Sequence, residues 1–157
     1  MPRCAFIGLG VMGYPMAGYL QNAGNQTTVY NRTVSKAEKW VEAYGGSLGA
    51  TPCEAAQDAD VVMLCVGNDD DVRSVVYGES GVLAGMTSGS VLVDHTTASA
   101  FLAKELEEAC TEKGIGFVDA PISGGQAGAE SGQLSVCLLY TSPSPRDRTR
   151  SRMPSSA

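Results

Sequence analysis

The sequence predicts an α/β domain built on a doubly wound parallel sheet, and three observations carry that expectation. Short apolar runs that read as strands alternate with helix-like stretches, the pattern of βαβ units with crossover helices of about 10–15 residues. Two of the runs, ADVVMLCV and GSVLVDH, are apolar almost throughout, as parallel strands covered on both faces must be. The first run ends in a glycine-rich turn that opens directly into a helix-like stretch.

Taken in order, RCAFIG is the first strand and ends at Gly8, and TTVYN is the second. Thr51-Pro52-Cys53-Glu54 then marks a helix start: a capping Thr, Pro at the first helical position, and Glu three residues after the cap. ADVVMLCV and GSVLVDH follow as central strands. In SAFLAKELEEACTEKG, Leu102, Leu106, Ala109 and Cys110 fall on one apolar face, and Gly114 ends the helix. IGFVDAP is a last, shorter strand.

Composition narrows the function classes. No apolar run approaches the roughly 18–20 residues that span a bilayer, so no membrane partner is expected. The start, Met1-Pro2-Arg3-Cys4, runs straight into a strand, which leaves no room for a secretory leader and points to the cytoplasm. Five cysteines (Cys4, Cys53, Cys65, Cys110, Cys137) lack C-x-x-C spacing and read as reduced, buried small hydrophobes rather than disulfides or a metal site. The net charge is −6; residues 137–157 hold four Arg and one Asp, so the first 136 residues carry −9. An acidic body argues against nucleic acid as a partner.

FIGLGVMGYPM places Gly8, Gly10 and Gly13 in the G-x-G-x-x-G pattern between a strand and a helix, which is where that pattern means dinucleotide binding on a Rossmann-type sheet. Gly8 permits the tight turn, Gly10 lets the backbone approach a pyrophosphate, and Gly13 allows close helix–strand packing. The helix start offers N–H groups and partial positive charge to the phosphates. NAD enzymes place an acid at the end of the second strand, about 20 residues on. Tyr30-Asn31-Arg32-Thr33 stands there instead. An Arg can pair with a 2′-phosphate and stack on adenine, so NADP is expected over NAD; the alternative is a solvated Arg32 beside a helix-capping Thr33.

Asp69-Asp70-Asp71 reads as an N-cap cluster on the helix DVRSVVYG rather than a metal site. His95, the sole histidine, has no Cys or His partner in sequence and is expected to be structural, solvent-facing or hydrogen-bonded.

FIGLGVMGYPMAGYL, NRT, VDHTTAS and DAPISGGQAGAESGQLSV together resemble the β-hydroxyacid dehydrogenases, nearest to 3-hydroxyisobutyrate dehydrogenase and the tartronate-semialdehyde and glyoxylate reductases. The resemblance runs from residue 3 to residue 136 and covers a 6-phosphogluconate dehydrogenase-like NAD(P)-binding domain. It implies cofactor contacts at Leu9, Met12, Asn31, Arg32, Thr33, Val66, Gly67, Asp71 and Thr97 besides the three glycines. It also implies that Ser123, Gly124 and Gly125 hold a substrate carboxylate. Those residues suit the task on their own terms, because a hydroxyl and consecutive backbone N–H groups make an anion nest.

The family takes its proton-transfer lysine from an all-helical domain that follows the Rossmann domain. Here the lysines are Lys36, Lys39, Lys104 and Lys113, all on what read as solvent faces. The expectation is therefore a cofactor-binding fragment with no catalytic residue and no helical domain, cut from an NADP-dependent oxidoreductase of a small β-hydroxyacid or its semialdehyde. The parent is expected to oligomerise through that helical domain. The alternative is a non-catalytic dinucleotide-binding or scaffold protein on the same fold, like the family branch that lost its lysine and serves as a chromatin-associated factor.

After Val136 the family pattern stops. CLLYTSPSPRD, Cys137 to Asp147, resembles the in-frame translation of a transposon-type sequencing adapter, codon by codon. Residues 137–157, rich in Ser, Pro and Arg, are expected to be a non-native tail without a core of its own.

Overall fold

The structure is a computed structural model that describes residues 3–96 and 99–120, together with the backbone of three two-residue strands at 122–123, 135–136 and 139–140. Its centre is a parallel sheet of β1 (Arg3–Ile7), β2 (Gln26–Tyr30), β3 (Ser47–Leu48), β4 (Val61–Leu64), β5 (Val91–Asp94) and β6 (Gly116–Asp119), in the order β3-β2-β1-β4-β5-β6. The chain winds outward from β1 to β3, then returns to β4 on the other side of β1. A crevice opens where winding reverses, at the carboxyl ends of β1 and β4. The ladders run one residue past the strands there, with Gly8 N–H donating to Tyr30 O, Cys65 N–H to Ile7 O and His95 N–H to Leu64 O.

The helices are α1 (Gly13–Asn22), α2 (Val34–Tyr44), α3 (Pro52–Ala56), α4 (Asp69–Val76), α5 (Val82–Gly85) and α6 (Ala100–Glu112). Strand residues alternate between two cores. Ala5, Ile7, Val62, Leu64, Leu92 and Phe117 pack with the apolar faces of α3 to α6. Phe6, Val29, Met63 and Val93 pack with Ala17 of α1 and Ala37 and Trp40 of α2. Burial on both faces is why ADVVMLCV and GSVLVDH carry so few polar residues.

The expected helix ends are present. Thr51 Oγ1 accepts from Glu54 N–H, with Pro52 at the first turn of α3. Leu102, Leu106 and Cys110 are the buried stripe of α6, and Gly114 follows it at φ +73°. One assignment shifts: the cap of α4 is Asn68, whose Oδ1 accepts from Asp71 N–H, and Asp69, Asp70 and Asp71 form the first turn. The favourable placement of acids at the positive helix end is unchanged. Asn68 extends the helix because it is itself a strong capping residue.

Of the four described cysteines, all free, Cys4 and Cys110 are buried while Cys53 and Cys65 are half-buried. Burial pushes the Cys110 thiol up to about 12. Backbone pairs join β7 (Ile122–Ser123) to β8 (Ser135–Val136), and β9 (Leu139–Tyr140) lies antiparallel against β6. β9 falls in the segment set apart as a tail. No described helix is long and apolar enough to cross a membrane.

Candidate dinucleotide site

The crevice at the reversal point is a cleft of about 820 Å³. Its floor is the turn between β1 and α1. Gly8 sits at φ +103°, a left-handed conformation, and a Cβ there would overlap the Cys65 carbonyl. A Cβ on Gly13 would overlap the carbonyl oxygen of Gly8, so α1 packs directly on the strand end. Gly10 differs: a Cβ there would have nothing within 4 Å and would project into open space.

α1 begins without a side-chain cap at Met12. Tyr14 N–H donates to Gly10 O at 3.0 Å, Met16 N–H donates to Met12 O at 3.3 Å and Pro15 has no N–H, so the amides that remain for an anion at the cleft are those just ahead of them, at Met12 and Gly13. An uncapped helix start behind an unobstructed Gly10 fits a pyrophosphate.

Asn31 locks the turn to the end of β2. Its side-chain oxygen accepts from Leu9 N–H at 2.9 Å, and its amide nitrogen donates to Thr33 O at 3.0 Å. Leu9 itself is fully buried, so any role at the cleft is through its backbone. Next to Asn31, Arg32 projects with 87% of its side chain exposed and meets the Asp71 carboxylate at 3.8 Å. Asp71 stands on the opposite wall, one turn into α4. Gly67 makes room for it, since a Cβ at Gly67 would lie 2.5 Å from Asp71 Oδ2.

The far wall is tied by a side-chain relay. Val66 N–H donates to Thr96 Oγ1 at 3.0 Å, and Thr96 N–H donates to Asp94 Oδ1 at 2.9 Å. Thr96 thus fixes the end of β4 to the end of β5. Asp94 is buried, and desolvation lifts its carboxyl to about 6 against the pull of the Thr96 hydrogen bonds. His95 is 2% exposed, so it does not face solvent as one alternative had it. Its Nδ1 lies 2.8 Å from Ala120 O, which makes Nδ1 the protonated nitrogen. Its Nε2 has no hydrogen-bond partner among the described residues. Desolvation lowers its pKa despite the bond to Ala120, so the ring is neutral.

Gly8, Leu9, Gly10, Met12, Gly13, Asn31, Arg32, Val66, Gly67 and Asp71 all line this one cleft, whereas Thr33, at the N-cap position of α2, does not. Thr97, Gly124 and Gly125 lie outside the described residues, and Ser123 is described only as backbone of β7. Sequence reading missed Thr96, His95 and Ser74 as lining residues. The position of Thr96 just past an apolar strand was the available signal. Lys36, Lys39, Lys104 and Lys113 are all exposed, and none lines the cleft.

Comparisons with known proteins agree with this geometry. Residues 3–138 match the family described as the NAD binding domain of 6-phosphogluconate dehydrogenase. An uncharacterized oxidoreductase of Shewanella frigidimarina is 58% identical over 138 residues, 88% of this chain and 47% of the relative. A probable mitochondrial 3-hydroxyisobutyrate dehydrogenase-like protein of Arabidopsis thaliana is 43% identical, over 85% of this chain and 40% of its own length. Among solved structures, the 3-hydroxyisobutyrate dehydrogenase of Mycobacterium tuberculosis with L-serine superposes with a TM-score of 0.80 at 30% identity, covering 88% of this chain and 46% of the other. Psf3 in complex with NADP+ and 2-OPP gives 0.80 at 28% identity, covering 86% and 48%. The chain spans about half the length of the relatives it matches. It belongs to the family of the NAD-binding domain of 6-phosphogluconate dehydrogenase.

Proposed function

We propose that the chain is the NADP(H)-binding part of an oxidoreductase acting on a small β-hydroxyacid or its semialdehyde. The observation that carries the reading is the uncapped start of α1 behind Gly10, facing a cleft in which Arg32 is the one cation among the described lining residues. Bound NADP(H) would supply or accept the hydride. The chain's own work is to hold and orient. The turn amides that lead into α1, at Met12 and Gly13, take the pyrophosphate, and Arg32 takes the 2′-phosphate with a charge that NAD does not meet. Thr96, held by Asp94 and Val66, sets the wall at the nicotinamide end. Psf3 and its bound NADP+ support the cofactor assignment by likeness.

Ser123, Gly124 and Gly125 hold the substrate carboxylate in this reading, and Thr97 touches the cofactor near the hydride. The proton-transfer lysine comes from a helical domain of the parent polypeptide, through which it also oligomerises. The length of the relatives, about twice the matched region, supports this. Residues 1–136 are the native domain and 137–157 an added tail. The free cysteines suit a reducing compartment, and the cytoplasm is the one assigned.

The test is direct titration of the chain with NADPH and NADH. NADPH should bind about tenfold more tightly or better, the worth of a charged hydrogen bond. Arg32→Asp should reverse that order. An unchanged NADPH/NADH ratio in the variant would refute the assignment of Arg32.

A further inference from the structure

Arg32 is the one cation and Asp71 the one carboxylate among the described lining residues of the cleft, and they face each other from opposite walls at 3.8 Å. We propose that this pair, rather than Arg32 alone, sets cofactor preference, with Asp71 acting as an internal competitor for the guanidinium that a 2′-phosphate must displace. The inference rests on the reading of Arg32 as the 2′-phosphate site and adds a second specificity-determining residue to it.

Three features make Asp71 a competitor rather than a bystander. Its position is fixed by the fold: its N–H is held by Asn68 Oδ1 at 2.9 Å and its carbonyl accepts from Ser74 Oγ at 2.7 Å. The absent side chain at Gly67 leaves the space its carboxylate occupies. Finally, its side chain is only 32% exposed while Arg32 is 87% exposed, so the arginine is the partner free to move.

The two cofactors then meet the pair differently. A 2′-phosphate brings close to two negative charges and needs Arg32, but it arrives against the like charge of Asp71. A ribose 2′-hydroxyl has no use for Arg32 and can donate to Asp71 as it does to the acid that ends the second strand in NAD enzymes. The chain therefore carries one recognition element for each cofactor in direct contact, which restrains its preference for NADP. Removing the carboxylate charge should sharpen the preference; removing the guanidinium should invert it.

The test uses the whole chain and two small probes, 2′,5′-ADP and 5′-AMP, which differ by the 2′-phosphate alone and need only the adenosine half of the cleft. Affinities are read by calorimetry for the wild type, Asp71→Asn, Arg32→Ala and the double variant, with thermal melting to confirm that each is folded. Asp71→Asn should tighten 2′,5′-ADP by about fivefold, the scale of one unit charge at contact distance in water, while leaving 5′-AMP unchanged or weaker. The gain should vanish in the double variant. As a measurement needing no variant, raising salt should weaken 2′,5′-ADP binding to the wild type far more than 5′-AMP binding. Weaker or unchanged 2′,5′-ADP binding in Asp71→Asn, with Arg32→Ala still losing it, would overturn the competitor role and leave the Arg32 site standing. Equal binding of the two probes by the wild type, unaltered in Arg32→Ala, would overturn the Arg32 reading and the competitor with it.

Discussion

Asp94 and Asp119 are in-register neighbours at the ends of the adjacent parallel strands β5 and β6. Both carboxyls are raised by desolvation, Asp94 to about 6, and the charge of Asp119 adds to the rise at Asp94. Asp69 contributes in the same direction, and the N–H and hydroxyl of Thr96 oppose it. Two acids are thus placed where their ionisation works against the fold.

The sign of the pH dependence follows. A carboxyl whose folded pKa lies above its unfolded value of 3.8 binds more protons in the folded state. Stability therefore falls as pH rises through the window between about 4 and 6, by up to about 3 kcal/mol for Asp94. Urea unfolding at pH 4.5 and pH 7 should reveal the slope, and Asp94→Asn should flatten it. A wild type that gains stability across that interval, with no change in Asp94→Asn, would refute the assignment.

Glycine substitutions in the turn should separate folding from binding. Gly13→Ala forces a methyl into the Gly8 carbonyl and should destabilise the domain by about 1–3 kcal/mol. Gly10→Ala meets no protein atom within 4 Å, so its melting temperature should stay near the wild type. Its dinucleotide affinity should nonetheless drop at least about tenfold, because the methyl occupies the approach of the pyrophosphate. Melting curves paired with NADPH titrations decide this, and intact binding in Gly10→Ala would contradict the placement of the phosphates.

Much of this architecture was readable from the sequence, and the reasons are local. The apolar runs at Val61–Leu64 and Val91–Asp94 had to be buried strands because every residue but Asp94 packs into one core or the other. The Thr51 cap and Gly114 stop were legible because capping depends on residues three or four apart. Asn68 was passed over because three aspartates after it also favour a helix start. The partner of Arg32 was invisible, since Asp71 is 39 residues away in sequence and meets it only when β2 and α4 flank one cleft. His95 looked solvent-facing or structural for a similar reason: its burial is set by Ala120, at the end of a different strand.

The cap of α3 offers a smaller, cleaner test. Thr51 Oγ1 satisfies Glu54 N–H at 3.1 Å, and Glu54 returns a carboxylate oxygen to Ala50 N–H at 2.8 Å. Thr51→Ala should cost about 1 kcal/mol when compared by chemical denaturation. No loss would mean that water replaces the cap at that end.

Catalysis is expected to be absent from the chain by itself. None of its four lysines reaches the cleft, and a missing proton-transfer group alone lowers rates by about 10²–10⁴-fold. NADPH oxidation with tartronate semialdehyde or glyoxylate should be negligible for this chain and for residues 1–136 alone, against clear turnover by a full-length parent. Turnover by the short forms near that rate would refute the proposal that proton transfer needs a group these residues do not supply.

The central claim is that the dinucleotide binds across the reversal point of the sheet. Its most direct measurement is an amide chemical-shift titration of the isotope-labelled chain with NADPH. Shifts should concentrate at Gly8 to Gly13, Arg32, Val66, Gly67, Asp71 and Thr96, with the helix face of Leu102, Leu106 and Cys110 unaffected. Shifts confined to the arginines between Arg146 and Arg152, or none in the Gly8–Gly13 turn at saturating NADPH, would contradict it.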